Sequence, residues 1–196
     1  MLKIIKNNKT ISILILITII VFIIGLLLPS ILDNNTKTEI SNNLKEYISF
    51  IKQDKINTFN YLKDTLKSNS LLIIIIWLLG ISVIGIPLIL VLYLSKVLII
   101  GLEITFLIKN IMSYNILFII IYMIPKIVNL LLLALLVYYS ISFSILLVRT
   151  LFINKQFNLT KVMIKYIRIF IIISILMLIV TLGEYFLESN LLKYLF

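Results

Sequence analysis

Cysteine and histidine are both absent from this 196-residue chain, and only eight residues are acidic. Without cysteine there is no disulfide, no thiolate ligand and no thiol nucleophile. Without histidine, the general base of Ser-His and Cys-His hydrolases and the commonest zinc and haem ligand are missing. No glycine-rich phosphate loop of the nucleotide-binding folds is present either. We therefore expect a protein that is not an enzyme and that has no cofactor and no metal site.

The three aspartates all fall in one polar stretch between the first two apolar runs. They are Asp33, Asp54 and Asp64. An intramembrane aspartyl protease would need two aspartates at membrane depth, where a charged side chain is expensive to place. Their position therefore argues against that class of enzyme as well.

Apolar residues are what the chain has in abundance, at 62% hydrophobic against 13% charged. A soluble domain of this size cannot bury so much apolar surface, whereas helices of about 20 apolar residues are what a bilayer selects. We predict an all-α, polytopic transmembrane helix bundle that forms a single membrane domain over residues 1–196, in contact with membrane lipid. About five spans are expected, over residues 10–32, 71–94, 96–113, 116–148 and 169–187.

Two glycines and a proline interrupt the second predicted span, at Gly80, Gly85 and Pro87. Pro87 has no backbone N–H, and its ring disfavours helical geometry at the preceding residue. Glycines allow another helix to approach closely. We therefore predict a Gly/Pro-broken central region that is packed inside the bundle, where its irregular backbone is shielded from lipid.

Glu103 is the one acidic residue inside a short apolar piece that follows Lys96. A charge at the bilayer centre costs about 3 kcal/mol, so this carboxylate should face the interior and have a partner. Lys96 and Lys126 are the candidates, and Glu103, Lys126 and Asn129 form a candidate buried polar site. The site is either structural, as an ion pair or a protonated, buried acid, or it belongs to an ion or substrate site. The second alternative describes a permease-like membrane subunit of a transporter that uses the Pro-broken helices and Glu103.

The apolar run 116–148 is longer than one span needs, and Pro125 and Lys126 lie in its first third. A proline followed by a lysine is unfavourable inside a lipid-facing helix. We predict a break near residue 125, with a short tilted or re-entrant piece before it and a full span after it.

The segment 33–70 is the one extended polar stretch, and it has the pattern of an amphipathic helical segment outside the membrane. Thr36 and Glu39 fit a capping box at a helix start. Apolar residues then recur at the spacing of one helix face. This face is a candidate partner-docking surface; the alternative is that it packs on the bundle or on the membrane surface. It comprises Ile40, Leu44, Ile48, Ile51, Ile56, Phe59, Leu62 and Leu66.

Basic residues indicate the orientation of the chain. The loop 149–168 carries five basic residues and no acid, and lysines precede the first span, so both are expected in the cytoplasm. Five spans then put the carboxyl terminus and the segment 33–70 on the exterior. Attraction to anionic lipid accounts for much of the net charge of +10, and no nucleic-acid partner is expected. The five basic residues of the loop are Arg149, Lys155, Lys161, Lys165 and Arg168.

The stretch Trp77 to Pro87, followed by Lys96 and Gly101, resembles the central signature of the stage II sporulation protein M family. The similarity extends to the surrounding arrangement of spans and covers essentially the whole chain. Val97 is a departure, because relatives often have glycine after the lysine. The residues carried over as a structural signature are Gly80, Gly85, Pro87, Lys96, Gly101 and Pro125.

The resemblance implies a role in endospore formation. Members of that family are multi-pass proteins of the mother-cell and septal membrane that act in engulfment. They resemble non-catalytic scaffolds that localise peptidoglycan-degrading proteins, namely stage II sporulation proteins D and P. No catalytic residue follows from the resemblance, and the sequence leaves open whether the protein forms a homo-oligomer.

Overall fold

The computed structural model describes residues 8–52, 58–82, 84–111, 116–152 and 159–187. Within these ranges the chain forms six α-helices and no strand, which confirms the all-α prediction. The helices are α1 (Asn8–Ile31), α2 (Asn34–Lys52), α3 (Thr58–Gly80), α4 (Gly85–Ile111), α5 (Ile116–Phe152) and α6 (Leu159–Phe186).

Four of these helices are long and apolar enough to cross a membrane. The polytopic bundle is thus confirmed, with four candidate spans in the described part of the chain rather than about five. The difference arises in α3, whose apolar part covers only residues 71–80, because its first half is polar. The candidate spans are Thr10–Ile31, Gly85–Lys109, Ile119–Thr150 and Thr160–Phe186.

The predicted break in the Gly/Pro region lies between α3 and α4. Helix α3 ends at Gly80, and the amides of Ile81 and Ser82 donate to carbonyls one turn back, at 3.1 and 3.0 Å. Helix α4 begins at Gly85 and has Pro87 in its first turn. A proline there removes no intrahelical hydrogen bond, because the first amides of a helix have no partner. Pro87 therefore helps to start α4, and the glycines mark the break.

Two other predicted interruptions do not occur. Helix α4 continues through Lys96, so the predicted spans 71–94 and 96–113 share one continuous helix. The break predicted near residue 125 is also wrong, because Pro125 lies inside α5. A proline inside a membrane helix loses one backbone hydrogen bond, and neighbouring helices that cover the site make this tolerable. Pro125 is buried, as this explanation requires.

Helices α1 and α4 touch at a pair of glycines. A Cβ built on Gly25 would lie 2.6 Å from the carbonyl oxygen of Leu98 and 3.2 Å from the Cα of Gly101. A Cβ on Gly101 would lie 3.1 Å from the Cα of Gly25. Neither position can hold a larger residue without moving the helices apart, since backbone rather than a flexible side chain lies opposite.

Two hydrogen bonds show that α1 and α4 run in the same direction. Earlier along both helices, the hydroxyls of Thr18 and Tyr93 are 3.0 Å apart. Further along both, the Thr105 hydroxyl donates to the carbonyl of Leu26 at 3.0 Å. Polar side chains at membrane depth thus link the two helices, as is common in bundles that lack a hydrophobic driving force.

The core lies between α3, α4, α5 and α6, while the outer faces are apolar and exposed. Because nothing in the described chain covers those faces, lipid is their natural environment. Exposed side chains include Ile13, Leu16 and Ile20 of α1 and Ile171, Ile175 and Ile179 of α6. The core includes Ile73, Ile76, Ile89, Tyr93, Val97, Leu133, Leu136, Val137, Ile173 and Met177.

Helix α2 begins one turn earlier than the predicted capping box. Asp33 precedes the helix, its carbonyl accepts from the amide of Lys37 at 3.1 Å, and its carboxylate accepts from the Thr36 hydroxyl. The hydrogen bond from Thr36 lowers the pKa of the Asp33 carboxyl below its ordinary value of 3.8. Asp33 is therefore the N-cap in place of Thr36. Helix α2 then packs beside α4.

Candidate functional site

At one end of the bundle, the break between α3 and α4 packs against α5 and α6. We call the group Trp77, Gly80, Ser140, Phe143 and Tyr166 the hinge cluster. A Cβ on Gly80 would lie 2.8 Å from the Cβ of Ser140 and would collide with the Tyr166 hydroxyl. Only glycine fits at the end of α3, because α5 and α6 already occupy the space that a side chain needs.

The Tyr166 hydroxyl connects three helices in the hinge cluster. It donates to the carbonyl of Trp77 at 2.9 Å, and its oxygen lies 2.9 Å from the hydroxyl of Ser140. Because the phenol has one proton, Ser140 is the donor in the second bond. The tyrosine ring also stacks on Phe143 with centroids 4.1 Å apart. This cluster fixes where α3 ends.

Ser144 extends these contacts to the break itself. Its hydroxyl donates to the carbonyl of Ser82 at 3.1 Å, so one of the backbone groups freed by the break is satisfied by α5. Gly85 starts α4 with its Cα against the end of α3, where an added Cβ would lie 2.7 Å from the carbonyl carbon of Leu79. Gly80 and Gly85 are thus explained by packing at the break, and Gly101 by the contact of α4 with α1.

At the other end of the bundle, the same four helices enclose a cavity of about 290 Å³, which we call the polar cavity. Both the polar and the apolar parts of its wall come from all four helices. Polar and charged lining residues are Asp64, Thr65, Ser68, Asn69, Lys96, Glu103, Lys126, Asn129 and Glu184; apolar ones are Leu72, Ile99, Ile100, Leu130, Leu133 and Met177.

Glu103 pairs with Lys126 in this cavity. The lysine Nζ lies 2.9 Å from the glutamate Oε2, with side-chain exposures of 17% and 29%. The ammonium also donates to the Tyr122 hydroxyl at 2.6 Å and lies 4.1 Å from the centre of that ring. Of the two candidate partners, the direct ion pair is thus with Lys126. Helix α5 supplies both lysine and tyrosine from adjacent turns.

Glu184 lies almost fully buried in the same wall, with 4% of its surface exposed. It attracts Lys126 and Lys96 and repels Glu103, yet within the described chain it forms neither a hydrogen bond nor a direct ion pair. The Oδ1 atom of Asn129 is buried and also lacks a partner there. The wall therefore holds a buried carboxylate and an amide oxygen without a hydrogen-bond donor, close to two lysines.

The structure brings the predicted polar residues together. Glu103, Lys126 and Asn129 all line the polar cavity, as does Lys96 from the proposed signature. Glu184 and Asn69 were missed. A glutamate just before the end of the last span looked like an ordinary terminal charge. Only the packing of α6 against α3, where the Asn69 amide donates to Thr181 at 3.3 Å, brings Glu184 beside the lysines.

The candidate docking face is divided between two helices. Helix α2 carries Ile40, Leu44, Ile48 and Ile51, and α3 carries Phe59, Leu62 and Leu66. Ile56 lies outside the described residues. Ile40 and Leu66 are half-buried. No metal-binding group of three or more acidic side chains was found among the described residues.

Comparison with known proteins identifies the family. The family model described as Stage II sporulation protein M matches residues 12–190, which include all but the first two residues of the first span, the other three spans and both ends of the bundle described above. No curated protein and no solved structure matched the chain. Since the match covers most of its length, the chain belongs to the stage II sporulation protein M family.

Proposed function

We propose that this protein is a non-catalytic membrane scaffold in endospore formation, which localises peptidoglycan-degrading proteins to the septal and engulfing membrane. The observation that carries the proposal is the position of α2 in a chain of this family. Helix α2, together with the polar first half of α3, lies outside the four candidate spans of a chain that is otherwise apolar. It offers a surface for partners beside a bundle anchored in lipid.

The arrangement of the helices supports an orientation for this scaffold. Basic residues flank the connection between α5 and α6, close to the hinge cluster, and the charge rule favours the cytoplasm for that end. Helix α2 follows the other end of α1, beside Thr105 of α4. Because α1 and α4 run in the same direction, α3 must bring the chain back between them, which adds a fifth crossing to the four candidate spans. The proposal therefore has the amino terminus in the cytoplasm and both α2 and the carboxyl terminus on the exterior, in the mother-cell membrane.

The partners in this proposal are stage II sporulation proteins D and P, as the family resemblance implies. An exterior α2 would meet cell-wall enzymes on the side where peptidoglycan lies. The apolar residues of α2 recur every three or four positions, which is the pattern by which an amphipathic helix docks against another protein.

Recovery of the hydrolases from sporulating cells tests the proposal. The full-length tagged protein would be purified in mild detergent from the host, alongside Leu44→Glu and the matched control Asn43→Glu. Asn43 is exposed and adjacent, so its variant adds the same charge off the apolar face. We expect unchanged recovery with Asn43→Glu and at least a tenfold loss with Leu44→Glu at equal membrane abundance. Absence of any hydrolase with the unaltered protein would contradict the scaffold role.

The permease-like alternative makes the opposite prediction for the polar cavity. A scaffold should still support sporulation when Glu103 is changed to Gln, because the hydrolase-binding surface lies elsewhere. A transporter that uses this carboxylate should lose both sporulation and substrate flux in proteoliposomes. Measuring sporulation efficiency of Glu103→Gln beside Leu44→Glu separates the two functions.

A further inference from the structure

The polar cavity combines charged and apolar walls in a way that the scaffold role does not require. Its charged groups are two ammonium groups, Lys96 and Lys126, and three carboxylates, Asp64, Glu103 and Glu184. One of the carboxylates is exposed at the polar end of α3, and leucine, isoleucine and methionine side chains form the rest of the wall. A volume of about 290 Å³ equals roughly ten water molecules at about 30 Å³ each.

Some of these groups already satisfy one another. Lys126 is held by Glu103 and by the Tyr122 hydroxyl, so this pair needs nothing further. Three other groups face the cavity. Asn129 Oδ1 is buried without a hydrogen-bond partner in the described chain, the Glu184 carboxylate is almost fully buried, and the Lys96 ammonium is half-buried. The amide oxygen and an ionised carboxylate can only accept hydrogen bonds, and the ammonium can only donate.

Leaving such groups without partners is unfavourable. A buried polar group without a hydrogen bond costs about 1–3 kcal/mol, and a buried carboxylate costs more. Two acceptors and one donor line one cavity, and a ligand with the reverse set of groups would complement them. That ligand carries an ammonium for Glu184 and Asn129, and an anionic group for Lys96.

We propose that the polar cavity binds a zwitterion in which a primary ammonium is joined to a phosphate or carboxylate. The ammonium donates to the Glu184 carboxylate and to Asn129 Oδ1, and the anionic group accepts from Lys96. A purely anionic ligand is disfavoured, because the cavity holds more carboxylates than ammonium groups. This site is independent of the proposed scaffold role.

Two sources supply this chemistry, and the apolar part of the wall bears on the choice. A phosphatidylethanolamine headgroup carries both charges, and its glycerol end would lie against the leucine and isoleucine side chains. A free solute such as phosphoethanolamine carries the same charges without acyl chains. The proposal concerns the two charges of the ligand, and the experiment distinguishes a lipid headgroup from a free solute.

Lipid adducts of the purified full-length protein, measured by native mass spectrometry, test it. Phosphatidylethanolamine, phosphatidylcholine and phosphatidylglycerol with identical acyl chains would be offered at equal concentrations. Phosphatidylcholine is the matched control, because its trimethylammonium cannot donate a hydrogen bond. We expect at least tenfold preference for phosphatidylethanolamine, or specific binding of phosphoethanolamine added alone. Equal retention of the three lipids with no binding of phosphoethanolamine would overturn the proposal and leave water as the occupant.

Variants locate the site. Glu184→Gln and Lys96→Gln should each weaken binding about tenfold or more. Glu39→Gln and Lys109→Gln remove exposed charges of the same sign elsewhere and should leave binding unchanged. Equal binding by all four variants would also overturn the proposal. Should Glu184→Gln fail to fold, the comparison of headgroups on the unaltered protein still decides the matter.

If phosphoethanolamine displaces the lipid with similar affinity, the headgroup alone is recognised. If the diacyl lipid binds and the free compound does not, the apolar wall contributes and the ligand is a membrane lipid. Both results support the zwitterion site. Recovery of wall hydrolases by Lys96→Gln is a separate measurement, so failure of the scaffold proposal and failure of this one are distinguishable.

Discussion

The two ends of the bundle differ in how tightly the helices pack. At the hinge cluster, α3, α5 and α6 lie so close together that a Cβ on Gly80 would collide with Ser140 and Tyr166. At the polar cavity, the same helices and α4 leave about 290 Å³ unfilled. In the hinge cluster, side-chain hydroxyls satisfy the backbone freed by the break, and the Trp77 indole N–H is left without a partner in the described chain. In the cavity, the Asn129 amide oxygen lacks a partner in the described chain, and the Glu184 carboxylate is almost fully buried.

The difference indicates that the two ends of the same helices have different roles. A densely packed end whose freed backbone carbonyls accept hydrogen bonds from neighbouring helices can determine where a helix stops and how its neighbours cross. An end with unfilled volume and unsatisfied polar groups contributes little to the position of the helices. Polar groups at membrane depth are usually retained for function. Substitutions at the two ends should therefore have different consequences, and the following experiments test this.

The largest effect is expected from Gly80→Ala. The new Cβ would overlap the Ser140 Cβ, and overpacking of this kind costs about 1–3 kcal/mol. Gly183→Ala is the control, since no heavy atom of the described chain lies within 4 Å of the place that a Cβ on Gly183 would occupy. That variant should be neutral or stabilise α6 by up to about 1 kcal/mol. Unfolding in mixed micelles measures both, and equal stabilities would show that the hinge cluster is not tightly packed.

Next in size is Tyr166→Phe, which removes one hydroxyl from the hinge cluster. It leaves the Trp77 carbonyl without its donor, and we expect a loss of about 1–2 kcal/mol in the free energy of unfolding. Tyr139→Phe, on the neighbouring helix, serves as the matched control and should change stability by less than about 0.5 kcal/mol. The same unfolding assay applies. A loss shared by both variants would contradict a specific role for this hydroxyl.

At the polar cavity, the Glu103–Lys126 pair should contribute less. Both side chains are partly exposed, and ion pairs of this kind give about 1 kcal/mol or less. A double-mutant cycle with Glu103→Gln and Lys126→Gln should give a coupling near that value. A coupling of about 3 kcal/mol or more would mean that this end is as rigid as the hinge cluster, and the contrast between the ends would fail.

The smallest effect is expected for a hydrogen bond that is exposed to solvent, which serves as a reference for the buried contacts at the two ends. Asp33 and Thr36 form a hydrogen bond on the exposed start of α2, and it lowers the pKa of the carboxyl. Its stabilising contribution is present above the unfolded pKa and is lost as pH falls through the lower folded pKa. The amide shift of Lys37 in NMR should titrate with a midpoint below 3.8, and Thr36→Val should raise that midpoint. Thr38→Val is the control and should leave it unchanged.

The sequence predicted the all-α membrane fold, but it did not predict how each proline is accommodated. Long uncharged runs predicted the helices, and Gly80 and Gly85 predicted the break, because each follows from backbone or bilayer constraints. Pro87 and Pro125 were harder to interpret. Both lack a backbone N–H, yet Pro87 lies in the first turn of α4 and Pro125 lies inside α5. Only the packing around each proline determines which of these positions it takes.

The candidate site could be predicted in part. Glu103 stood out because it is a lone acid in an apolar piece, and Lys126 because it follows a proline in another. Glu184 did not, since nothing in its local sequence separates a buried carboxylate from a charge at the membrane surface. Its position depends on how α6 packs against α3 and α5, which is a long-range property of the fold.

The parallel contact of α1 with α4 has a consequence for synthesis. The hydrogen bond between the Thr18 and Tyr93 hydroxyls cannot form until Tyr93, 75 residues later in the chain, has been synthesised. At roughly 5–20 residues per second, a ribosome needs about 4–15 s to deliver it. During that interval the Gly25 surface of α1 has only lipid or another protein to contact, so the nascent chain is most open to mispairing or to an insertion factor before α4 emerges.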